Sequence, residues 1–188
     1  MRLIVGNPVA GCAVRLNPER IAMEEKVYNV LFLCSGNAAR SVMAEALVTT
    51  MGNGRFRGFS AGSRPAGSVD PLALEQIRPT GYPLDGLRSK NWDEFAAPDA
   101  PVMDFIFTVC DETAGEECPC WPGHPITAHW DVEDPAAVAD TEEHRRAAFH
   151  RAFHQIRARM SIFVSLPLHM LENNAIHQQV TDIGRAAA

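Results

Sequence analysis

Residues 34–41 combine a cysteine and an arginine in a spacing that suits nucleophilic attack on an oxyanion. The segment CSGNAARS begins at Cys34, carries Arg40 six positions later, and follows an apolar run. A helix N-terminus after the segment would favour a bound anion and the reactive thiolate, so we expect a lowered pKa for Cys34. Arg40 can bind two anion oxygens, and Ser41 can donate a hydrogen bond to the thiolate. The expected anion-binding residues are Ser35, Gly36, Asn37, Ala38, Ala39, Arg40 and Ser41.

Asp134, which stands before Pro135 in a predicted loop, is the candidate general acid. A cysteine that attacks an oxyanion needs a nearby acid to protonate the departing oxygen, and a loop aspartate can do so. An Asp-Pro pair is also a common turn signal, so the pair alone does not decide between the two interpretations.

Three later cysteines, Cys110, Cys118 and Cys120, raise the question of redox chemistry. The apolar run DFIFTVC ends at Cys110. If this strand lies level beside the strand that ends at Cys34, the two ends are about 5 Å apart. A disulfide spans Cα separations of about 4.4–6.8 Å, so such a thiol pair favours redox chemistry over hydrolysis alone. Cys110 as a small core residue and Cys120 as a packed loop residue stay open as alternatives.

The same three cysteines, with His124 and His129, offer atoms that zinc could bind. Their intervals lack the paired C-x2-C spacing of ordinary zinc modules. We therefore predict no metal site.

Strands and helices alternate along the chain, which predicts an α/β fold with a parallel sheet and helices on both sides. Apolar runs predict strands over residues 27–34, 55–60, 104–110 and 126–130, and helical spacing predicts helices after residue 40, over 70–78 and over 142–166. Residues 111–125 are predicted to form a loop. Ligands of such sheets bind at the carboxyl ends of the strands, where Cys34 and Cys110 stand.

Length and composition indicate one globular domain. Of 188 residues, 46% are hydrophobic, and 17 basic against 23 acidic residues give a net charge of −6. Nucleic-acid binding needs a basic surface, so we expect no nucleic-acid partner. No apolar run reaches the roughly 20 residues that cross a bilayer, and we expect a cytoplasmic protein without a membrane partner. We predict a flexible extension over residues 1–26, the domain over 27–167, and a loosely attached tail over 168–188.

Several segments together resemble arsenate reductases built on the low-molecular-weight protein tyrosine phosphatase fold. They cover about Val27 to Leu166 and read VLFLCSGNAARSVMAEAL, FSAGSRPAGSVDPLAL, GLRSKNWDEF, DFIFTVCD, CPCWPG and AHWDVEDPAAV. The resemblance implies a single domain with a four-stranded parallel sheet, a C-x5-R phosphate loop and a role in arsenic detoxification. It also implies that Cys34 is the nucleophile, Arg40 the anion clamp and Asp134 the general acid.

The thioredoxin-coupled branch of these reductases has a second cysteine at the end of the later strand and a third in the following loop. Cys110 and Cys118 fit those positions, although the segment between them is about one residue longer than expected, and Cys120 is a further thiol. The resemblance implies no bound cofactor and an external reductant, which is thioredoxin, glutaredoxin with glutathione, or another small thiol.

Two alternative functions remain. A phosphatase acting on phosphomonoesters would use Cys34, Arg40 and Asp134 and would not need the later cysteines. Phosphotyrosine-specific members place aromatic residues after the Asp-Pro pair, whereas Ala136 and Ala137 stand here. A non-catalytic module that senses oxyanions or metals through the cysteines is the second alternative.

Overall fold

The computed structural model describes residues 26–116 and 119–186. Most of the predicted extension over residues 1–26, and Cys118, lie outside the described residues. The elements in chain order are β1 (Tyr28–Cys34), α1 (Arg40–Met51), β2 (Phe56–Gly62), α2 (Pro71–Ile77), β3 (Phe105–Thr108), α3 (Asp111–Ala114), β4 (Ile126–His129), α4 (Glu142–Ser165) and α5 (Asn173–Arg185). Short 3-10 helices occur at Arg78–Thr80, Trp92–Phe95, Pro135–Ala137 and Leu168–Met170.

The four strands form one parallel sheet in the order β2-β1-β3-β4. Cys34 pairs with Gly62 of β2, and Leu33 pairs with Thr108 of β3. The predicted four-stranded parallel sheet is therefore confirmed, and β1 lies at its centre with a neighbour on each side. This register brings the carboxyl ends of β1 and β3 side by side at the same end of the sheet.

Both faces of the sheet are buried, which explains why β1 is a nearly continuous apolar run. Successive strand residues point to opposite faces. Val30 and Phe32 belong to a core shared with α1, α2, α4 and α5, in which Phe107 stacks on Trp130 with ring centroids 4.3 Å apart. Leu31 and Leu33 belong to a smaller core on the other face. There the 3-10 helix Trp92–Phe95 and neighbouring loop residues provide the cover.

The predicted loosely attached tail is wrong, because α5 packs against the sheet. Ile176, Val180 and Ile183 are buried on one face of α5. The indole N–H of Trp130 donates a hydrogen bond to the Val180 carbonyl at 2.8 Å. A side chain at Gly184 would overlap the backbone of His129 at the end of β4, so helix and strand are in close contact. The i, i+4, i+7 spacing of the three apolar residues is the signal for this helix.

Among the described residues, no helix has the length and apolar character needed to span a bilayer.

Candidate active site

Cys34 is the last residue of β1, and the loop 35–39 leads directly into α1. Its thiol is buried and lies 3.0 Å from the hydroxyl of Ser41 and 3.2 Å from the backbone nitrogen of Asn37, whose N–H donates to the sulfur. The Asn37 side-chain amide donates to the same hydroxyl at 2.9 Å. Because that hydroxyl accepts from Asn37, its own proton is available for the sulfur of Cys34.

The loop carbonyls point away from Cys34. The carbonyls of Ser35, Gly36 and Ala38 accept hydrogen bonds of 2.9 Å from the backbone nitrogens of Arg64, Ala66 and Asp70. A planar trans peptide directs each C=O opposite to the next N–H. The N–H groups of residues 36, 37 and 39 therefore point to the inner side of the loop, as the contact from Asn37 to Cys34 shows. Such a concave row of N–H groups binds anions.

Residues 88–90 hold the loop from a second side. Asn37 adopts a left-handed conformation with φ 44°, and its side-chain oxygen accepts from the backbone N–H of Lys90 at 2.8 Å. The Ser89 hydroxyl donates to the Gly36 carbonyl at 3.0 Å. Asparagine tolerates the left-handed region better than most residues, so the residue type fits the bend.

A buried ion pair anchors this second side. The Lys90 ammonium lies 3.6 Å from the Glu45 carboxylate of α1, which also accepts from the hydroxyls of Ser60 and Tyr82. Burial lowers the pKa of Lys90, and the negative charge of Glu45 opposes that effect. Burial and the same carboxylate raise the pKa of Tyr82 well above its usual value.

Sequence reasoning missed Ser89, Lys90, Glu45 and Gly62. Glu45 gives a signal, because it is a charged residue on an otherwise apolar helix face and therefore needs a buried partner. Gly62 pairs with Cys34, and a side chain there would overlap the backbone of Ser35. Ser89 acts on the loop through a hydroxyl bond to a carbonyl, and Lys90 through its backbone N–H, neither of which has a characteristic motif.

Arg40 and Asp134 meet beside the loop, although 93 residues separate them in the sequence. The Arg40 guanidinium donates to the Val132 carbonyl at 3.0 Å and lies 3.1 Å from Oδ2 of Asp134. The other carboxylate oxygen of Asp134 accepts from the Ala136 N–H at 3.1 Å and caps the 3-10 helix Pro135–Ala137. The Arg40 side chain is 14% exposed and that of Asp134 is 42% exposed, so the carboxylate can exchange protons with solvent.

The predicted lowering of the Cys34 pKa is wrong for this structure. Burial raises the pKa of the thiol, since a buried thiolate loses its hydration, while the hydrogen bonds from Ser41 and Asn37 lower it in part. A negative charge on the neighbouring Cys110 would raise it further. The donors around the sulfur therefore offset part of the effect of burial on the thiolate.

Cys110 is a second buried thiol next to the loop. It follows the end of β3 and precedes α3, so it stands beyond the strand that the sequence predicted to reach it. Its thiol donates to the Thr113 hydroxyl at 3.1 Å, and the Ser35 hydroxyl lies 3.6 Å from its sulfur. Ser35 directly follows Cys34. Cys34, Cys110 and the exposed Cys120 are free thiols.

One group near the site has the composition of a metal site. Ligand atoms of Asp111, His129 and Asp131 lie within 4.8 Å of one another, and all three residues are exposed. His129 contacts Asp111 through Nε2 at 3.0 Å and the Thr108 hydroxyl through Nδ1 at 2.9 Å. Of the residues that the sequence offered as zinc ligands, this group contains only His129. A hydrogen bond between His129 and Asp111 accounts for the contact between these two residues without a metal ion.

The site combines a thiol at the carboxyl end of a parallel strand, a loop of inward N–H groups, and an arginine paired with an aspartate. This combination is typical of enzymes in which a cysteine attacks a tetrahedral oxyanion. Residues 29–175 match the low molecular weight phosphotyrosine protein phosphatase family, and the chain belongs to that family. The fold and family expected from the sequence are confirmed.

Curated relatives and solved structures in this family include many arsenate reductases. The chain is 32% identical to arsenate reductase of Bacillus subtilis (strain 168) over 141 residues, which is 75% of this chain and 96% of that protein. It is 33% identical to arsenate reductase of Brevibacillus brevis, again over 141 residues that cover 75% of this chain and 96% of that protein. The crystal structure of arsenate reductase from Archaeoglobus fulgidus is 29% identical with a TM-score of 0.57, covering 73% of this chain and 99% of that one. A thioredoxin-dependent arsenate reductase of Corynebacterium glutamicum is 26% identical with a TM-score of 0.51, covering 74% and 63%.

Proposed function

We propose that the protein reduces arsenate to arsenite, with Cys34 as the nucleophile and Cys110 as the second thiol. The observation that carries this proposal is the presence of two buried free thiols, one at the end of β1 and one just beyond the end of β3, with the Ser35 hydroxyl 3.6 Å from the second sulfur. Hydrolysis of a phosphoryl group on Cys34 needs one thiol. Reduction needs two, because two thiols give up two electrons when they form a disulfide.

Arsenate is a tetrahedral oxyanion, and the loop offers it complementary donors. The inward N–H groups of residues 36, 37 and 39 line the inner side of the loop that begins at Cys34, and the Arg40 guanidinium stands at the end of this loop. Charge-assisted hydrogen bonds of this kind are stronger than those between neutral groups. Arg40 is held by the Val132 carbonyl and Asp134, so its donors are placed before the anion binds.

The first chemical step joins sulfur to arsenic. The Cys34 thiolate attacks arsenic, and the Asp134 carboxylic acid gives its proton to a departing oxygen, which leaves as water. Ser41 and the Asn37 N–H stabilise the thiolate before the attack. The product is an adduct in which pentavalent arsenic is bonded to the sulfur of Cys34.

The second step transfers the electrons. The Cys110 thiolate attacks the sulfur of Cys34 and forms a disulfide, and the sulfur–arsenic bond breaks with its electron pair staying on arsenic. Arsenic is thereby reduced from the pentavalent to the trivalent state and leaves as arsenite. The two cysteines supply both electrons, which are the two that arsenic gains.

A third thiol then returns the enzyme to its reduced form. Cys118, or alternatively Cys120, attacks Cys110 and releases Cys34, and an external thiol reductant reduces the new disulfide. Cys120 is exposed, which suits exchange with a reductant. Thioredoxin, glutaredoxin with glutathione, and another small thiol are the candidate reductants. The thioredoxin dependence of the Corynebacterium glutamicum relative favours thioredoxin.

Phosphomonoester hydrolysis is the second candidate, because Cys34, Arg40 and Asp134 suffice for it. The segment after Asp134 presents the small, exposed side chains of Ala136 and Ala137, which cannot stack on a phenol ring. We therefore expect slow hydrolysis of aryl phosphates as a side activity.

The test is arsenate-dependent oxidation of each of the three reductants by the purified protein, run beside hydrolysis of an aryl phosphate. We expect turnover with at least one reductant and its loss in Cys34→Ser, together with the loss of hydrolysis. Cys120→Ser, a variant at an exposed thiol, keeps the hydrolysis. Efficient hydrolysis without arsenate turnover on any reductant would assign the protein as a phosphatase instead.

A further inference from the structure

Two histidines stand one turn apart on the exposed side of α4. His150 and His154 are both exposed, and their Nε2 atoms lie 3.1 Å apart, with ring centroids 4.3 Å apart. Residues four apart on a helix are neighbours on its surface. The two imidazoles therefore meet through their Nε2 atoms at hydrogen-bond distance.

The separation of the two nitrogens also suits a metal ion. Imidazole nitrogen binds zinc at about 2.0–2.1 Å. For an ion at that distance from both Nε2 atoms, the N–metal–N angle would be about 100°. This value lies between the angle of neighbouring octahedral ligands and the tetrahedral angle. The ion would replace the hydrogen bond between the two rings, and χ2 of histidine is a soft torsion about which the rings can adjust.

The surroundings leave room for such an ion and its other ligands. Both histidines line a cavity of about 480 Å³ that also contains Glu133 and Asp134. Arg151 lines the same cavity, and Arg157 lines an adjoining one together with both histidines. Charges of both signs surround the pair, since Asp134 is already paired with Arg40 and leaves Glu133 beside Arg151 and Arg157. A cation there would be held by the two imidazole nitrogens and not by the local field.

We propose that His150 and His154 form a two-histidine binding site for a divalent transition-metal ion, with water filling the remaining positions. Imidazole suits copper, nickel and zinc, and affinity for nitrogen ligands rises from nickel to copper. A metal held by both rings also links two successive turns of α4. This site does not depend on the proposed arsenate chemistry.

The direct test is a calorimetric titration of the full-length protein with Ni²⁺. We expect the affinity to fall by about 10²-fold in His150→Ala and in His154→Ala, because the second ligand binds at high effective concentration. His144→Ala is the matched control, since His144 is exposed on the same helix and pairs with Asp140 instead of a second histidine. Its affinity should equal that of the parent.

Two further variants separate this site from other ligands. His129→Ala removes the imidazole of the Asp111, His129 and Asp131 group and should leave the affinity unchanged. Absorption bands of nickel bound to thiolate would show binding by cysteine, and we expect none to accompany the high-affinity event. The proposal is overturned by the absence of Ni²⁺ binding, by unchanged affinity in both α4 variants, or by loss of binding in His129→Ala.

A stability measurement gives an independent readout. An ion that binds the folded state alone raises the melting temperature. Ni²⁺ at a concentration that saturates the parent but not the single-histidine variants should therefore raise the melting temperature of the parent and of His144→Ala, and raise that of His150→Ala and His154→Ala much less. Both histidines are exposed, so the variants are expected to fold, and circular dichroism without metal checks this. Equal metal-induced shifts in all four proteins would contradict the site.

Discussion

Asn37 links three parts of the candidate site through one residue. Its backbone N–H donates to Cys34, its side-chain amide donates to Ser41, and its side-chain oxygen accepts from Lys90. Its left-handed backbone makes the bend that turns the loop around the sulfur. The thiol, its hydroxyl donor and the segment that holds the loop are therefore coupled at this residue.

Replacing Ser41 with alanine should raise the pKa of Cys34 further. Burial already raises it, and the variant removes a hydrogen bond that favours the thiolate. Less thiolate then exists at neutral pH, so alkylation by iodoacetamide should slow by about tenfold, the worth of one hydrogen bond to a charged group. The pH profile of alkylation should move to higher pH, and the rates of parent and variant should converge in alkaline solution.

Ser161→Ala is the control for this measurement, because Ser161 is an exposed residue of α4 whose hydroxyl donates to a carbonyl of its own helix. Its alkylation profile should match that of the parent. An unshifted profile in Ser41→Ala would mean that the hydroxyl does not stabilise the thiolate.

Asp134→Asn should slow turnover by about 10²–10⁴-fold, the usual contribution of a positioned general acid. The amide keeps the size of the side chain and a possible contact with Arg40, so binding of phosphate as an inhibitor should persist. Steady-state rates and inhibition constants measure the two effects separately. Asp131→Asn, which changes an exposed carboxylate in the same segment, serves as control, and a loss in this variant together with a parental rate in Asp134→Asn would reassign the acid.

Residue types indicated the side chains at the centre of the candidate site but not the residues that hold the loop in place. Cys34 and Arg40 carry their chemistry in their side chains, and the structure places them at the two ends of the loop 35–39. The pKa of Cys34 could not be predicted, because burial depends on everything that packs around the loop. The contribution of Lys90 passes through its backbone N–H, which every residue except proline possesses.

At the level of elements, the end of β3 and the start of α3 place Cys110 beside the loop. The Cys110 carbonyl accepts the N–H of Ala114, so the cysteine lies at the start of this short helix. The sequence predicted a strand up to Cys110 and a loop after it. The strand ends at Thr108 instead. The prediction was too long because an apolar run shows which residues are buried and not where the hydrogen bonds between strands stop.

Cys110→Ser should separate the two activities of the site. Hydrolysis of an aryl phosphate needs Cys34, Asp134 and water and should continue, whereas arsenate turnover needs a second thiol and should be lost. Parallel assays of both reactions measure the split, and Cys120→Ser is the matched thiol control for hydrolysis. Full arsenate turnover in Cys110→Ser, with a small-thiol adduct on Cys34, would show that the second thiol comes from solution.

Mass spectrometry tests the intermediate itself. With Cys118 and Cys120 both changed to serine, arsenate should leave Cys34 linked to Cys110. With those cysteines present, a disulfide from Cys110 to the loop should appear. Absence of both species after a single turnover would contradict the relay.

For the molecule as a whole, α5 completes the larger core by covering β4, which lies at the edge of the sheet. Sequence analysis found the sheet and α4, whose apolar stripe is long, and missed α5. Its three buried residues are separated by polar ones, and a short amphipathic stretch at the chain end does not reveal whether a partner surface exists for it. That surface, at β4 and Trp130, forms only after the sheet has assembled.

Gly184→Ala should destabilise the fold by about 1–3 kcal/mol, the usual cost of forcing an extra methyl group into a packed contact. The added carbon would overlap the backbone of His129, so α5 must shift away from β4. Alanine favours helix by up to about 1 kcal/mol, which offsets part of this cost. Urea unfolding should show a lower midpoint, while Gly86→Ala, at a position with open space around it, should leave the midpoint unchanged.

The hydrogen bonds from residues 64–70 and from Ser89 and Lys90 give the loop its shape through the protein's own contacts. A preformed ring of donors recognises negative charge and tetrahedral geometry, and arsenate shares both with phosphate. We therefore expect phosphate to compete for the loop, and selectivity for arsenic to arise at the proposed electron transfer, which phosphorus does not undergo with thiols. Abundant phosphate would slow arsenic removal as a reversible occupant, so the rate of detoxification follows the ratio of the two anions rather than the arsenate concentration alone.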